Sequence, residues 1–313
     1  MDQALRRTMA KAADPVQSVN ALKYKGTVMR GLVRRAAVGL AAVAIGGYMA
    51  ICAYMYIQQD SLVYPGGTTA IEPLPAPDSA GLAGFTSVIL DTPDGERLKA
   101  WWHPPGENPK GLNGVVLYLQ GNRENIAAPW RAARLRDLAA AGFGVLGVEY
   151  RGFGGSSGHP SEPGLISDSL TGFDFVTREA PGARIGVFAD SLGTGVAVAL
   201  ATQRPVAGMM LDSPFASALR LAAIDYGWLP TSLLLKGSWK SEDRIKSVSA
   251  PILIAQCDTD RRIPIAEGRR LFDAANQPKE MIVLPGCGHV ETWIDPAKAK
   301  ALNDFAAWIG PTT

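Results

Sequence analysis

A serine in a predicted tight turn is the side chain best suited to covalent chemistry. Ser191 lies in the run FADSLG at residues 188–193, after the apolar run 185–188 and before a small-residue helix predicted from Gly195 to Ala201. A strand, a serine flanked by small residues, and a helix together describe a nucleophile elbow. In this strained turn the hydroxyl projects above the sheet. The usual elbow has glycine on both flanks, and here the first flank is Ala189.

A histidine follows the last predicted strand. His289 ends the glycine-rich run PGCGH at residues 285–289, and the other two histidines, His103 and His159, fall in a hairpin strand and after a glycine-rich turn. Ligands of open α/β sheets bind beyond the carboxyl ends of the strands. His289 also comes after the serine in the order that a hydrolase of this kind requires. It is therefore the predicted general base.

The acid should end a strand between the serine and the histidine. Asp260 does so in the run CDTD at residues 257–260, with Asp258 as a turn former or a second acceptor on the same loop. Asp212 ends an earlier predicted strand and remains an alternative acid. In such a triad the imidazole removes the serine proton, and the carboxylate fixes the imidazole tautomer. This chemistry uses no cofactor, and the chain has too few ligands at suitable spacing for a metal site.

An oxyanion formed at the serine needs hydrogen-bond donors. The backbone N–H of Leu192, at the start of the helix after the nucleophile, is one candidate. The second should lie in the turn after the first buried strand, which reads QGN at residues 120–122. Gly121 allows the backbone to bend toward the serine, and the backbone N–H of Asn122 is the predicted donor.

The elements that must position these residues alternate between short apolar strands and helices. The hairpin signal Asp94-Gly95 precedes a series of buried strands from residue 115 to residue 284. This pattern predicts an α/β fold over residues 85–310, with a mainly parallel sheet covered by helices on both faces. An insertion at residues 214–250, with Trp228, Leu229 and Leu233 among its apolar residues, is interpreted as a small helical cap. Its apolar inner face would line an acyl pocket, and simple packing on the core is the alternative.

The N-terminal region has the pattern of a membrane anchor. Residues 1–35 carry eight Lys or Arg and two Asp, whereas residues 36–57 carry no charge. An uncharged run of that length can cross a hydrocarbon core of roughly 30 Å. The positive-inside rule then predicts a cytoplasmic basic tail (1–35), an uncleaved transmembrane signal anchor (36–57) and an extracytoplasmic remainder, periplasmic in a bacterium. A cleaved signal peptide is the alternative. The eight basic residues are spread over 35 positions beside a predicted membrane span, and this pattern does not indicate nucleic-acid binding. Residues 58–84, rich in Pro and Gly, are predicted to form a tether.

Taken together, these motifs resemble the α/β-hydrolase superfamily. The closest resemblance is to its N-terminally membrane-anchored serine hydrolases, which share the following segments: QDSLVYP at 59–65, YRGFGGSSG at 150–158, PSE at 160–162, the acid loop 260–264 and the histidine loop 286–293. Two positions depart from the family pattern. Gln120 stands where the family usually has histidine, and Ala189 stands where it has glycine.

The resemblance implies hydrolysis of esters, thioesters or amides by a serine nucleophile, as in lysophospholipases, depalmitoylases and proteins described as serine aminopeptidases. We therefore expect a membrane-anchored Ser-His-Asp hydrolase acting on an acyl ester or thioester, with lipid-like substrates among those it could accept. A peptidase for short peptides and a catalytically silent binding module are the alternatives. If the acid and histidine loops meet, Cys257 and Cys287 become neighbours. They would then form either a disulfide, in an oxidising compartment, or two buried thiols.

Overall fold

The chain divides between Tyr56 and Ile57 into two compact units. The computed structural model describes residues 15–68, 73–106 and 114–310, so the first fourteen residues of the predicted basic tail lie outside the described residues. Up to Tyr56 the described residues belong to one helix, α1 (Pro15–Val63). The part of α1 from Lys23 onward is long and apolar enough to cross a membrane, and its most apolar window of 18 residues has a mean hydropathy of 2.0.

The second unit contains an eight-stranded sheet and the helices that cover it, and its elements alternate along the chain. In order, the described elements are α2 (Pro65–Thr68), β1 (Thr86–Asp91), β2 (Arg97–His103), β3 (Val115–Leu119), α3 (Pro129–Ala140), β4 (Gly144–Val148), α4 (Glu162–Glu179), β5 (Ile185–Asp190), α5 (Leu192–Ala201), β6 (Gly208–Asp212), α6 (Ala218–Asp225), α7 (Thr231–Leu234), α8 (Ser241–Arg244), β7 (Ile252–Cys257), α9 (Ile265–Ala274), β8 (Lys279–Leu284) and α10 (Ala297–Ile309).

The strands are ordered β1-β2-β4-β3-β5-β6-β7-β8. β1 and β2 form an antiparallel hairpin, β2 pairs antiparallel with β4, and all pairs from β4 to β8 are parallel. Parallel pairing brings the carboxyl ends of β5, β6, β7 and β8 to one edge of the sheet. At that edge Asp190 is the register partner of Asp212. The predicted α/β fold with a mainly parallel sheet is confirmed.

Both faces of the sheet are buried, which explains why the strands read as continuous apolar runs. In β3, Val115, Leu117 and Leu119 face one core cluster, which the helices α4, α5 and α9 complete. Val116 and Tyr118 face the other cluster, with α3 and α10. Because successive side chains of a strand point to opposite faces of the sheet, alternate residues of β3 pack in the two core clusters.

Residues 58–84 differ from the extended tether expected from their proline and glycine content. Helix α1 continues to Val63, and the compact unit begins at Ile57. Tyr64 is only 4% exposed, and its hydroxyl accepts a hydrogen bond from Trp239 Nε1 at 3.2 Å. Pro65 begins the short helix α2, because its fixed φ suits the first turn of a helix as well as an extended chain. Buried aromatic surface therefore holds Tyr64 on the rest of the second unit.

The insertion between β6 and β7 contains the short helices α6, α7 and α8. Leu229 is buried, but Trp228 and Leu233 are 58% and 81% exposed. These two side chains face outward, so they do not line the inner face that was expected of a cap.

Candidate active site

The chain around Ser191 forms the strained turn that the sequence predicts for a nucleophile. Ser191 has a positive φ of 52°, which side-chain-bearing residues rarely adopt. A Cβ on Gly193 would lie 2.1 Å from the carbonyl oxygen of Leu119, so only glycine fits after the serine. On the other flank the methyl group of Ala189 is fully buried. The local sequence therefore folds into an elbow between β5 and α5, and alanine is accommodated at the first flank.

Ser191, His289 and Asp260 lie in one hydrogen-bonded line. His289 Nε2 is 2.9 Å from Ser191 Oγ, and His289 Nδ1 is 2.8 Å from Asp260 Oδ2. The Asp260 side chain is completely buried, whereas the imidazole keeps 18% of its surface exposed. Burial by itself raises the pKa of Asp260. The hydrogen bond and charge of His289, with the N–H groups of Ile263 and Arg262, outweigh it and lower that pKa below its ordinary value.

The alternative acid, Asp212, faces a different partner. Its Oδ2 accepts a hydrogen bond from Arg134 Nη2 at 2.5 Å, and its Oδ1 accepts one from Ser213 Oγ at 3.1 Å. Both members of the Arg134–Asp212 ion pair are buried. Asp212 therefore belongs to a buried ion pair beside the histidine loop, and Asp260 is the carboxylate that contacts the imidazole.

The turn after β3 approaches the nucleophile closely. A Cβ on Gly121 would lie 3.2 Å from Ser191 Cβ and 2.8 Å from Asp190 Oδ2, so this close approach requires glycine. The Gly121 N–H donates to Asp190 Oδ2 at 2.9 Å. Within the described part of the chain, the N–H groups of Asn122 and Leu192 donate to no protein acceptor. Neither of these two N–H groups, which the sequence suggests as oxyanion donors, is therefore occupied by another described residue.

Comparison with known proteins gives the family. The family model described as Serine aminopeptidase, S33 matches residues 113–229, which include the turn after β3 and the elbow. An uncharacterized protein of Mycobacterium tuberculosis is 38% identical over 254 residues, covering 80% of this chain and 88% of its own length. The chain belongs to the α/β-hydrolase superfamily. A lysophosphatidylserine lipase of Danio rerio is 28% identical to this hydrolase over 185 residues, which is 53% of this chain and 48% of that lipase.

The solved structures agree with the family at the level of fold. The Pyrococcus furiosus esterase Pf2001 superposes on this α/β-hydrolase with a TM-score of 0.64 and 20% sequence identity. The match covers 77% of this chain and 99% of the esterase. The arrangement of sheet and helices is thus shared with a known esterase.

A buried network that the sequence did not reveal supports the elbow of this α/β-hydrolase. Asp190, next to the nucleophile, accepts hydrogen bonds from Tyr118 Oη and from the Gly121 N–H. Arg131 Nη2 and Arg134 Nη1 lie 3.4 Å and 3.5 Å from its carboxylate. All four of these side chains are buried. The sequence signal was the pair of arginines three residues apart on α3, on the face that also carries Leu135 and Leu138.

Gln120, at the position where the family usually has histidine, contacts a buried acid. Its Nε2 donates to Glu149 Oε2 at 2.7 Å, and Glu149 Oε1 accepts from the Ile126 N–H at 2.5 Å. Burial raises the pKa of Glu149 to about 7, although both hydrogen bonds oppose that shift. Gln120 and Glu149 therefore join the end of β3 to the end of β4 beneath the oxyanion turn.

The structure joins Cys257 and Cys287, which have a sequence separation of 30, in a disulfide. Cys257 ends β7 three residues before Asp260, and Cys287 precedes His289 by two. The Thr259 hydroxyl also donates to the Cys287 carbonyl oxygen at 2.5 Å. The acid loop and the histidine loop are thus connected by a covalent bond and by a hydrogen bond.

Proposed function

We propose that the chain is a membrane-anchored serine hydrolase that cleaves acyl esters or thioesters. Ser191 would be the nucleophile, His289 the general base and Asp260 the acid that orients it. The observation that carries this proposal is the hydrogen-bonded line from Ser191 Oγ through the imidazole to Asp260, with distances of 2.9 Å and 2.8 Å. These lengths suit direct proton transfer from the hydroxyl to Nε2.

The reaction follows from this geometry in two halves. Ser191 Oγ attacks the acyl carbon while its proton passes to His289 Nε2, and the N–H groups of Asn122 and Leu192 stabilise the resulting oxyanion. The imidazolium then protonates the leaving alkoxide or thiolate as its bond to carbon breaks, which leaves an acyl-enzyme. In the second half, water attacks the acyl carbon, gives a proton to His289, and the carboxylic acid departs as Ser191 regains its proton.

A lipid-like acyl substrate and a membrane location are supported by separate observations. One relative is a lysophosphatidylserine lipase, and α1 is long and apolar enough to cross a membrane. The excess of basic residues before residue 36 favours a cytoplasmic N-terminus. A disulfide between Cys257 and Cys287 is typical of an oxidising compartment, which agrees with an extracytoplasmic catalytic domain. Alkaline phosphatase fused after Thr313 would be active in Escherichia coli only with this orientation.

Labelling by a fluorophosphonate probe tests the nucleophile. We expect the full chain to be labelled and the Ser191→Ala variant, with unchanged folding by circular dichroism, to remain unlabelled. Ser213→Ala, the same change at the serine that follows the neighbouring strand β6, serves as the matched control and should still be labelled. Absence of labelling in the folded wild type would identify a binding module instead of an enzyme.

The peptidase alternative rests on the description of the matching family model as a serine aminopeptidase. A panel of p-nitrophenyl esters of increasing chain length, assayed beside aminoacyl amides, separates the two activities. We expect every p-nitrophenyl ester of the panel to be hydrolysed faster than the aminoacyl amides. Faster cleavage of the amides would overturn it in favour of a peptidase.

A further inference from the structure

Exposed apolar side chains are concentrated in one short part of the insertion. After Val63, the described residues include six large apolar side chains that are exposed, and three of them lie between residues 224 and 233. We name Ile224, Trp228 and Leu233 the cap surface; they are 58%, 58% and 81% exposed. Clustered exposure of this kind marks a surface that contacts a partner or a membrane.

The insertion is held firmly at its base, so the exposure does not come from a loosely attached segment. Arg220 Nε, on α6, lies 2.9 Å from Glu267 Oε1, and the Ala216 N–H donates to Glu267 Oε2 at 3.2 Å. The Ala218 N–H donates to the Ser238 carbonyl oxygen at 3.1 Å. The polar contacts therefore face the core, while the large apolar side chains of the cap surface face outward.

The residues beside Leu233 are bonded to the end of helix α1. Gln59 Nε2 donates to the Leu234 carbonyl oxygen at 3.0 Å, and Gln59 Oε1 accepts from the Lys236 N–H at 2.8 Å. Lys236 Nζ also forms an ion pair with Asp60 Oδ2 at 2.9 Å. Gln59 follows the uncharged stretch 36–57 by two residues, which is about 3 Å of helical rise. The chain beside the cap surface is thus bonded to Gln59 and Asp60, which follow the uncharged stretch in sequence.

We propose that the cap surface inserts into the interface of the membrane that holds α1, so that a phospholipid bilayer covers Ile224, Trp228 and Leu233. This inference rests on the membrane anchoring in the proposed function. Tryptophan favours the headgroup region, and aliphatic side chains favour the acyl boundary beneath it. The ion pair of Lys236 with Asp60 leaves no net charge between those two side chains to oppose the approach of lipid.

The position of the insertion connects this surface to the chemistry. The insertion leaves the sheet after Asp212, the register partner of Asp190, which precedes the nucleophile. Its first part packs on the nucleophile helix, since a Cβ on Gly195 would lie 2.9 Å from the ring of Phe215. A docked cap surface therefore brings the bilayer to the sheet edge that carries Ser191, where an acyl chain leaving the membrane can reach it.

Spin labelling of the full chain tests docking without reference to activity. In a Cys52→Ala background, a nitroxide is placed at Leu233→Cys and, as a control, at the exposed Glu179→Cys at the end of α4. In phosphatidylcholine–phosphatidylglycerol nanodiscs we expect oxygen to relax the label at residue 233 more strongly than a water-soluble nickel chelate does. At residue 179 we expect the nickel chelate to be the stronger relaxing agent. If the ratio of relaxation by oxygen to relaxation by the nickel chelate is the same at both sites, the proposal is overturned. Dipolar broadening at residue 233 that persists in detergent would assign the surface to a second copy of the chain, which also overturns it.

An activity comparison separates this proposal from the proposed function. Leu233→Ser should lower hydrolysis of a long-chain ester embedded in vesicles by roughly tenfold, because the lost burial corresponds to about 1.4 kcal/mol. Hydrolysis of soluble p-nitrophenyl acetate should not change. Ile89→Ser, the same kind of change at an exposed residue of β1, should affect neither rate. If the wild type hydrolyses no ester, the proposed function fails, while the spin-label result still decides whether the cap surface docks.

Discussion

Arg134 donates a hydrogen bond from Nη2 to the backbone carbonyl oxygen of Val290 at 2.7 Å. Val290 follows His289 directly and has a positive φ of 55°. The same guanidinium nitrogen contacts Asp212. A buried cation on α3 thus holds the backbone of the histidine loop, although it touches neither the imidazole nor the serine.

This contact predicts separate effects of Arg134 on stability and on catalysis. Arg134→Met leaves Asp212 as a buried charge without its partner, so the free energy of unfolding should fall by about 3–5 kcal/mol. In the double variant Arg134→Met, Asp212→Asn most of that loss should be recovered, as measured by urea denaturation. Its kcat for p-nitrophenyl acetate should stay low, because the Val290 carbonyl still lacks its donor. If the double variant recovers both its free energy of unfolding and its kcat, Arg134 acts only by balancing the charge of Asp212.

The two candidate acids are distinguished by matched asparagine substitutions. Asp260→Asn should lower kcat by roughly 10⁴ with little change in stability, because the imidazole loses the carboxylate that orients it. Asp212→Asn should instead lower the free energy of unfolding, since it removes the partner of the Arg134 guanidinium. Steady-state kinetics and urea denaturation of both variants provide the measurement. A folded, stable Asp212→Asn enzyme with the larger loss of kcat would reverse the assignment.

Glu149 predicts a dependence of stability on pH. Its pKa in the folded protein is about 7, above the ordinary value of 4.5. Between those values the native state keeps a proton that the unfolded chain has released. This contribution to stability is therefore present at low pH and is lost as the pH rises toward 7. The full effect is roughly 3 kcal/mol.

Glu149→Gln should remove that dependence, because an amide keeps the neutral form at every pH. We expect the variant to gain stability relative to the wild type between about pH 5 and pH 8, as measured by urea denaturation. Glu179→Gln makes the same change at an exposed site. Its free energy of unfolding should change between about pH 5 and pH 8 by the same amount as that of the wild type. If the free energies of unfolding of Glu149→Gln and the wild type differ by the same amount at every pH in this range, the raised pKa of Glu149 is contradicted.

The disulfide predicts a defined pattern of alkylation. The chain has three cysteines, so the denatured protein should take up one label per chain without reductant, at Cys52, and three after reduction. Replacing Cys257 and Cys287 together with alanine should lower the free energy of unfolding by roughly 3–4 kcal/mol, because the unfolded chain loses its closed loop. Cys52→Ala is the control for loss of a thiol. Three labels without reductant would show that the two sulfurs are not bonded.

Much of the fold could be predicted from the sequence, because its signals are local. Each parallel strand is a short apolar run bounded by turn residues, and the predicted series of strands from residue 115 to residue 284 corresponds to β3 to β8. The sequence could predict that Ser191, Asp260 and His289 lie near one another, because each follows a strand and parallel strands end at one edge of the sheet. The hydrogen-bonded line between them is a property of the folded structure that the sequence could only suggest.

The buried ionic network could not be predicted, because its partners are remote in sequence. Tyr118 and Asp190 are 72 residues apart, and Arg134 lies 156 residues before Val290. Charged side chains on a helix are usually solvated, so the spacing of Arg131 and Arg134 on the apolar face of α3 is only a weak local sign that they are buried. The burial of Tyr64 could not be predicted for a related reason. The proline and glycine content of residues 58–84 predicts a tether, whereas the side chain that Tyr64 contacts, Trp239, is supplied by a distant part of the chain.

The disulfide also changes how the catalytic unit would respond to proteolysis. Cys257 and Cys287 close a covalent ring that contains α9 and the edge strand β8. A single cut between Asp260 and Cys287, for example after Arg269, would release no fragment, because the sulfurs would still join the two pieces. The proposed acid and base would then remain in one covalent molecule, so a nicked chain can keep both on the same sheet edge.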